Sequence, residues 1–101
     1  GSERFCLAVI AANARLSFAA VSREMGGGRY SIAPPDTLAR LLGYPSLGVS
    51  PLGAPDIPVL IDRQLECCET VLIGSGVVGV EIAITPQDLR VLTLGRTSEL
   101  T

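Results

Sequence analysis

Runs of apolar residues and alternation with polar ones divide the chain into short segments that predict strands. A continuous apolar run from Phe5 to Ala11 is typical of a buried strand. Arg29 to Ala33 alternates polar and apolar residues, which predicts a half-buried strand with Tyr30 and Ile32 on one face. Further strands are expected at Val59 to Ile61, Val71 to Ile73 and Val77 to Ile84.

A first helix is predicted between the first two strands. Ser17 is its expected N-cap, the helix runs from Phe18 to Met25, and its apolar face is formed by Phe18, Val21 and Met25. Three glycines follow, Gly26 to Gly28. Because helices commonly end at glycine, we expect them to form the C-cap; a phosphate-binding turn is the alternative.

Two more helices are predicted from their opening residues. The segment Pro34-Pro35-Asp36 opens one, with Leu38, Leu41 and Leu42 as its buried stripe and Gly43 as its end. In the segment from Thr85 to Asp88, Thr85 is the expected N-cap, Pro86 the first helical residue and Asp88 the capping acid, so this segment opens the last helix. That helix is expected to be lined by Leu89, Leu92 and Leu94 and to end at Gly95.

Length and composition place these elements in a single domain. The chain has 101 residues, of which 48% are hydrophobic and only 4% aromatic, so one aliphatic core is expected. The predicted class is α/β (α+β), a mixed, largely antiparallel β-sheet or barrel-like core with flanking helices. No apolar run reaches the ~18 residues of a membrane span, and a cytoplasmic protein is expected. Gly1-Ser2 looks like a tag scar ahead of a domain over residues 3–101.

The residue types that are absent from the chain limit the catalytic mechanisms and metal sites that it can form. The chain has no histidine, and its eight basic residues are all arginine. Ser-His-Asp and Cys-His catalysis, imidazole zinc sites and lysine Schiff bases are therefore excluded within the chain. Cys6, Cys67 and Cys68 are expected to be reduced thiols, with Cys67 a partly buried small residue rather than a nucleophile. We expect no metal and no cofactor.

The charge bears on nucleic-acid binding. The formal net charge is -2, and the arginines are spread along the whole length without forming a basic stripe. A protein that neutralises phosphates normally carries a basic excess. If RNA is a ligand, its binding must be local or must be supplied by another chain.

The segment from Gly43 to Asp62 is the strongest functional clue. It reads GYPSLGVSPLGAPDIPVLID, a loop rich in glycine and proline that leads into a short apolar strand ending in an acid. Such a loop can present backbone amides to a ligand. The order G-Y-x-x-x-G-V-S-P-L-G-x-P, followed by P-V-L-I-D, resembles the YbaK and prolyl-tRNA-synthetase-associated family of editing domains, which includes deacylases of Cys-tRNA(Pro) and Ala-tRNA(Pro). The later segments G-V-E-I-A-I and T-P-Q-D-L extend the resemblance along the chain.

The resemblance implies a function and a site. Family members hydrolyse the ester of mischarged tRNA, so the implied partners are the 3′ end of an aminoacyl-tRNA and an aminoacyl-tRNA synthetase. Gly48 and Glu81 match the implied catalytic positions, with backbone amides stabilising the developing oxyanion. The implied substrate-binding positions are Tyr44, Leu47, Val49, Ser50, Pro51, Gly53, Asp62 and Gly76.

Simpler structural roles stay open for four of these residues. Ser50 can stabilise a turn, Asp62 can cap the segment after it, Glu81 can face solvent, and Tyr44 can pack back on the preceding helix.

The chain also departs from the family pattern. Leu47 stands where members commonly have the first glycine of a pair, and the family's lysine, expected upstream of Phe5, is absent. By comparison with the family, we expect the chain to lack the N-terminal strands of the domain. The chain is thus expected to be an aminoacyl-tRNA hydrolase domain, either active or degenerate. The alternative is a non-catalytic binding or assembly module, forming a homo-oligomer through an exposed edge strand.

A second motif competes with this interpretation. Residues 71–83, VLIGSGVVGVEIA, contain G-x-G-x-x-G after an apolar run, as in dinucleotide-binding turns. That site requires a helix after the glycines, since the pyrophosphate binds at the helix N-terminus. The β-branched residues that follow favour a hairpin instead, with Gly74 to Gly76 as its turn. A dinucleotide-binding fragment remains a further alternative.

Overall fold

The structure is a computed structural model that describes residues 4–34, 36–37, 40, 50–52, 57–75, 77 and 79–101. Residues 36, 37 and 40 are helical, and the rest of the helix predicted there, with Leu38, Leu41 and Leu42, lies outside the described residues. The other elements follow in chain order: β1 (Leu7–Val9), α1 (Phe18–Glu24), β2 (Val59–Asp62), a 3-10 helix (Arg63–Cys67), β3 (Val71–Gly74), β4 (Glu81–Ile84), α2 (Pro86–Thr93) and β5 (Arg96–Ser98).

Strand β2 is the centre of a three-stranded sheet with the order β1-β2-β5. Both neighbours run parallel to it: Leu7 pairs with Val59 on one side, and Leu60 pairs with Arg96 on the other. All four residues of β2 are buried. This is the pattern expected of a parallel strand that is covered on both faces.

The alternating side chains of β2 divide the core into two clusters. Val59 and Ile61 pack with the 3-10 helix residue Leu65, the hairpin residues Ile73 and Ile84, and Leu89 of α2. Leu60 points to the other face, where it packs with Val21 of α1 and with Leu100. The sheet is therefore covered by α1 on one face and by the hairpin and α2 on the other.

Strands β3 and β4 form the predicted hairpin. They pair antiparallel, from Val71 opposite Ile84 to Gly74 opposite Glu81. The return strand is shorter than predicted: it begins at Glu81, and before it the Val80 N–H donates to the Val77 carbonyl at 3.2 Å, as in a turn. Since a strand and not a helix follows the glycines, the dinucleotide-binding alternative is excluded.

Helix α1 begins at the predicted residue and ends at Glu24, one residue before the predicted end. The Ser17 hydroxyl oxygen accepts the Ala20 N–H. At the other end, Gly26 and Gly27 donate to the carbonyls of Arg23 and Ser22, and all three glycines of the turn have positive φ. These two amides complete the helix terminus and are not available to an anion, so the glycines form the turn that ends the helix, although the C-cap is Met25 and not a glycine.

Helix α2 has the predicted start but a different end. The Thr85 hydroxyl accepts the Asp88 N–H, and Pro86 occupies the first turn. Leu94, in the left-handed conformation, is the C-cap, one residue before the predicted end. Of the three leucines expected to line the helix, only Leu89 is buried; Leu92 is 65% and Leu94 89% exposed.

Two strand predictions need correction. Arg29 to Ala33 forms no strand, and Ile32 is 74% exposed, because no described strand lies beside this segment to pair with it. Strand β5 was not predicted, since Arg96–Ser98 has no apolar alternation; its position is set by pairing with β2.

The predicted class, a mixed α+β single domain, is confirmed, but the sheet is not largely antiparallel. Two of the three described strand pairings are parallel. Strands β1 and β5 each connect to their neighbours through crossovers that contain helices, and such connections give parallel pairs.

Candidate functional site

Ser50 lies in the glycine and proline loop and is the first described residue after position 40. It is buried, with 1% exposure. Its hydroxyl oxygen accepts the Leu52 N–H at 3.1 Å, so the turn-stabilising role is observed. Leu52 packs against the Val59 and Ile61 face of the core, and Pro51 between them is partly buried. The middle of the loop is thereby fixed to the core.

The remaining loop positions of the predicted site lie outside the described residues. Their roles stay predictions: Tyr44, Leu47, Gly48, Val49, Gly53 and, in the hairpin, Gly76.

Asp62 is buried at the end of β2, with 1% exposure. Its Oδ1 accepts the backbone N–H of Leu100 at 3.1 Å, and its Oδ2 accepts the hydroxyl of Thr101 at 3.0 Å. It precedes the 3-10 helix in the cap position, yet its side chain makes no capping hydrogen bond. The capping prediction is therefore wrong for the side chain, because both carboxylate oxygens bind the C-terminal residues. A contact with substrate stays a prediction.

Glu81 is the first residue of β4 and is exposed. It lies opposite Gly74, immediately after the hairpin turn. Ser75 orders that turn, because its hydroxyl accepts the Val77 N–H at 3.2 Å and donates to the Val80 carbonyl at 2.8 Å. The solvent-facing position predicted as one alternative is thus observed, and it leaves the carboxylate accessible beside an ordered turn.

The three cysteines are free thiols, as predicted. Cys67 and Cys68 are exposed, so the prediction that Cys67 is partly buried is wrong; the 3-10 helix turns Leu65 into the core instead. Burial raises the pKa of the Cys6 thiol. Among the described residues, no cluster of cysteine and carboxylate side chains is arranged to hold a metal ion.

Three arginines that the sequence does not connect come together in the fold. Arg4, Arg29 and Arg40 come from three separate segments and line one open cleft of about 720 Å³, called the arginine cleft below. No pattern in the linear sequence connects them, because Arg29 follows the glycine turn, Arg40 is a helical residue further along the chain, and they meet Arg4 only in the fold. The expectation of a scattered, unorganised set of basic residues is corrected at this place.

Comparison with known proteins identifies the family. The sequence model of the aminoacyl-tRNA editing domain matches residues 1–92. The chain belongs to the aminoacyl-tRNA editing domain family. No curated protein matches the chain in a sequence search.

Solved structures agree with membership of the editing domain family. A protein from work on grafting epitope backbones onto scaffolds by computational design has a TM-score of 0.86 at 26% identity, covering 95% of this chain and 64% of that chain. A candidate trans-editing enzyme for prolyl tRNA synthetase has a TM-score of 0.84 at 26% identity, covering 95% and 61%. A hypothetical protein has a TM-score of 0.84 at 26% identity, covering 92% and 62%. The chain therefore spans less than two thirds of the length of these structures.

Proposed function

We propose that the chain is an aminoacyl-tRNA deacylase domain, which hydrolyses the ester between a wrong amino acid and the 3′ end of tRNA. The observation that carries the proposal is the family match over residues 1–92. It is supported by the structural likeness to a candidate trans-editing enzyme for prolyl tRNA synthetase. By the same likeness we propose aminoacyl-tRNA as the substrate and a synthetase as a functional partner.

The residues present fit attack by water rather than by a protein nucleophile. The chain has no histidine and no lysine to activate a serine or cysteine. In the proposed reaction, the oxygen of a water molecule attacks the ester carbonyl carbon. Glu81, exposed at the start of β4, takes a proton from that water. The bond to the ribose oxygen then breaks, and the proton passes from Glu81 to that oxygen, so amino acid and free tRNA leave.

The negative charge on the tetrahedral intermediate needs donors in fixed positions. The backbone amides of the G-V-S-P segment are proposed for this role, with Gly48 as the central position. Support comes from the described end of the segment, where Ser50 and Leu52 anchor the loop to the core. Donors on an anchored loop need little reorganisation when the charge develops.

The test is a hydrolysis assay with a panel of tRNAs, each charged with a wrong amino acid. We expect the chain to release amino acid from at least one mischarged tRNA faster than buffer does, and Gly48→Val to lose this activity. If no member of the panel is hydrolysed above the buffer rate, the enzymatic proposal is wrong.

A non-catalytic assembly module is the second candidate, favoured by the sheet edge. Within the described residues, β1 pairs only with β2 and so lies at the edge of its sheet. This candidate predicts a homo-oligomer without hydrolysis; a monomer by light scattering would count against it. None of the helices in the described part of the chain has the length and apolar character to cross a membrane. A cytoplasmic location stays a prediction.

A further inference from the structure

The arginine cleft combines positive charge with hydrogen-bond donors. Beside its three arginines it is lined by the hydroxyl residues Tyr30, Ser31 and Thr37, and none of its described lining residues is acidic. Ligand sites typically measure about 300–1,000 Å³. At about 720 Å³ the cleft can therefore take a ligand larger than a single phosphate group.

The charges of the three arginines are not neutralised within the described structure. The ion pair found there is between Arg63 and Glu99, at 3.8 Å, and it lies outside the cleft. Arg4 is held in place because its Nη2 donates to the Gly27 carbonyl at 2.9 Å. The glycine turn thus orients one guanidinium at the cleft wall, with the remaining N–H groups of its fork left for other acceptors.

Tyr30 also lines the cleft, while its side chain packs against the core cluster of Val21, Leu60 and Leu100. Its hydroxyl oxygen is buried and has no hydrogen-bond partner within the part of the chain that the structure describes. The three arginines, which make no ion pair within that part, point to a ligand that carries several negatively charged oxygens.

We propose that the arginine cleft binds phosphate groups of the tRNA strand that leads to the aminoacylated 3′ end. This inference rests on the proposed function, which makes RNA the relevant polyanion. Arginine recognises phosphate through paired N–H donors, and several such contacts give a local grip on RNA. A local cluster also explains how a chain with a formal net charge of -2 can bind a polyanion.

The experiment uses an uncharged, fluorescently labelled acceptor-stem hairpin RNA with a single-stranded 3′ end. Its affinity for the chain is measured by anisotropy at several salt concentrations for the wild type, Arg4→Gln, Arg29→Gln, Arg40→Gln and the triple variant. Arg15→Gln is the matched control, since Arg15 is exposed and does not line the cleft. Denaturant midpoints confirm that each variant is folded.

We expect each cleft substitution to weaken binding about fivefold or more, and Arg15→Gln to leave it unchanged. Because single strands contribute about 0.7 to the salt slope per phosphate contact, the slope of the triple variant should fall by about 2. The arginine-to-lysine triple variant should keep most of the slope. A glutamine triple variant that binds RNA as tightly as the wild type overturns the proposal, as does a wild type that prefers a polyglutamate peptide to the RNA.

Because the RNA is uncharged, its binding does not depend on catalysis. Hydrolysis by the wild type together with unchanged RNA binding by the triple variant would reject the cleft and leave the proposed function standing. Cleft-dependent RNA binding without any hydrolysis would support the cleft and reject the deacylase activity.

Discussion

The backbone N–H of Leu100 donates to Oδ1 of Asp62 at 3.1 Å and so ties the end of the chain to the end of the central strand. The carbonyl of Leu100 in turn accepts the N–H of Ser17, the N-cap of α1, at 2.7 Å. The Leu100 side chain is fully buried beside Leu60 and Val21. One residue thus joins β2, α1 and the C-terminal segment.

Replacing Asp62 tests this connection. Asp62→Ala leaves the Leu100 N–H without its acceptor in a buried position, and should lower the free energy of unfolding by about 3 kcal/mol. Asp62→Asn keeps one acceptor oxygen and should cost about 1 kcal/mol. Urea unfolding measures both. Equal, small losses for the two variants would show that the contact contributes little.

Gly95 is required by close packing rather than by its backbone angles. A Cβ there would lie 2.8 Å from Cδ1 of Ile61, 2.8 Å from Oγ1 of Thr93 and 3.2 Å from the Val59 carbonyl oxygen. Gly95→Ala should therefore destabilise the fold by about 2 kcal/mol, since overpacking shifts the neighbouring atoms.

Removing one of these neighbours gives the matched control for Gly95. Ile61→Val deletes the Cδ1 atom, so Gly95→Ala should cost less in the Ile61→Val background than in the wild type. Denaturant unfolding of the four chains measures the difference. If the two costs are equal, the contact with Ile61 is not the source of the strain.

The cysteines should differ in reactivity toward iodoacetamide. Burial raises the pKa of Cys6, so less of it is thiolate at any given pH, whereas Cys67 and Cys68 are exposed. At neutral pH we expect Cys67 and Cys68 to be alkylated first and Cys6 more slowly, with the Cys6 rate rising on unfolding in urea. Mass spectrometry counts the adducts; labelling of Cys6 in the native chain as fast as that of Cys67 and Cys68 would contradict its partial burial.

The raised pKa of the Cys6 thiol also makes the stability of the fold depend on pH. A folded-state pKa above the unfolded one favours the neutral thiol in the native state. Its contribution to stability is fully present below the unfolded pKa and is lost as the pH rises through the folded pKa. Cys6→Ser should therefore reduce the loss of stability in alkaline solution.

The sequence predicted the elements whose signals are local. Ser17, Thr85 and Pro86 place helix starts because a cap bonds an amide only a few residues away. The apolar run of β2 and the hairpin of β3 and β4 also follow from residues that are neighbours in sequence. Family membership was likewise predictable, because the motifs of the family are short runs of residues that are consecutive in the sequence.

Features that depend on distant contacts could not be predicted. Strand β5 exists because Leu60 to Asp62 pair with Arg96 to Ser98, and its own three residues carry no strand pattern. Asp62 looked like a local cap, but its partners are 38 and 39 residues away. Arg29 to Ala33 had the strand pattern and found no described partner strand. The arginine cleft could not be predicted for the same reason, because its three arginines come from separate segments of the chain.

The proposed deacylase activity is tested most directly by single-turnover hydrolysis of a mischarged tRNA by the wild type, Glu81→Gln and Glu69→Gln. Glu81 and Glu69 are both exposed, so neither substitution should change stability, and Glu69 has no proposed role. A general base contributes about 10²- to 10⁴-fold to the rate. We predict hydrolysis by the wild type and by Glu69→Gln, and a loss of at least about 10²-fold in Glu81→Gln. Equal rates for all three chains would reject Glu81 as the general base, and no hydrolysis by the wild type would reject the deacylase activity.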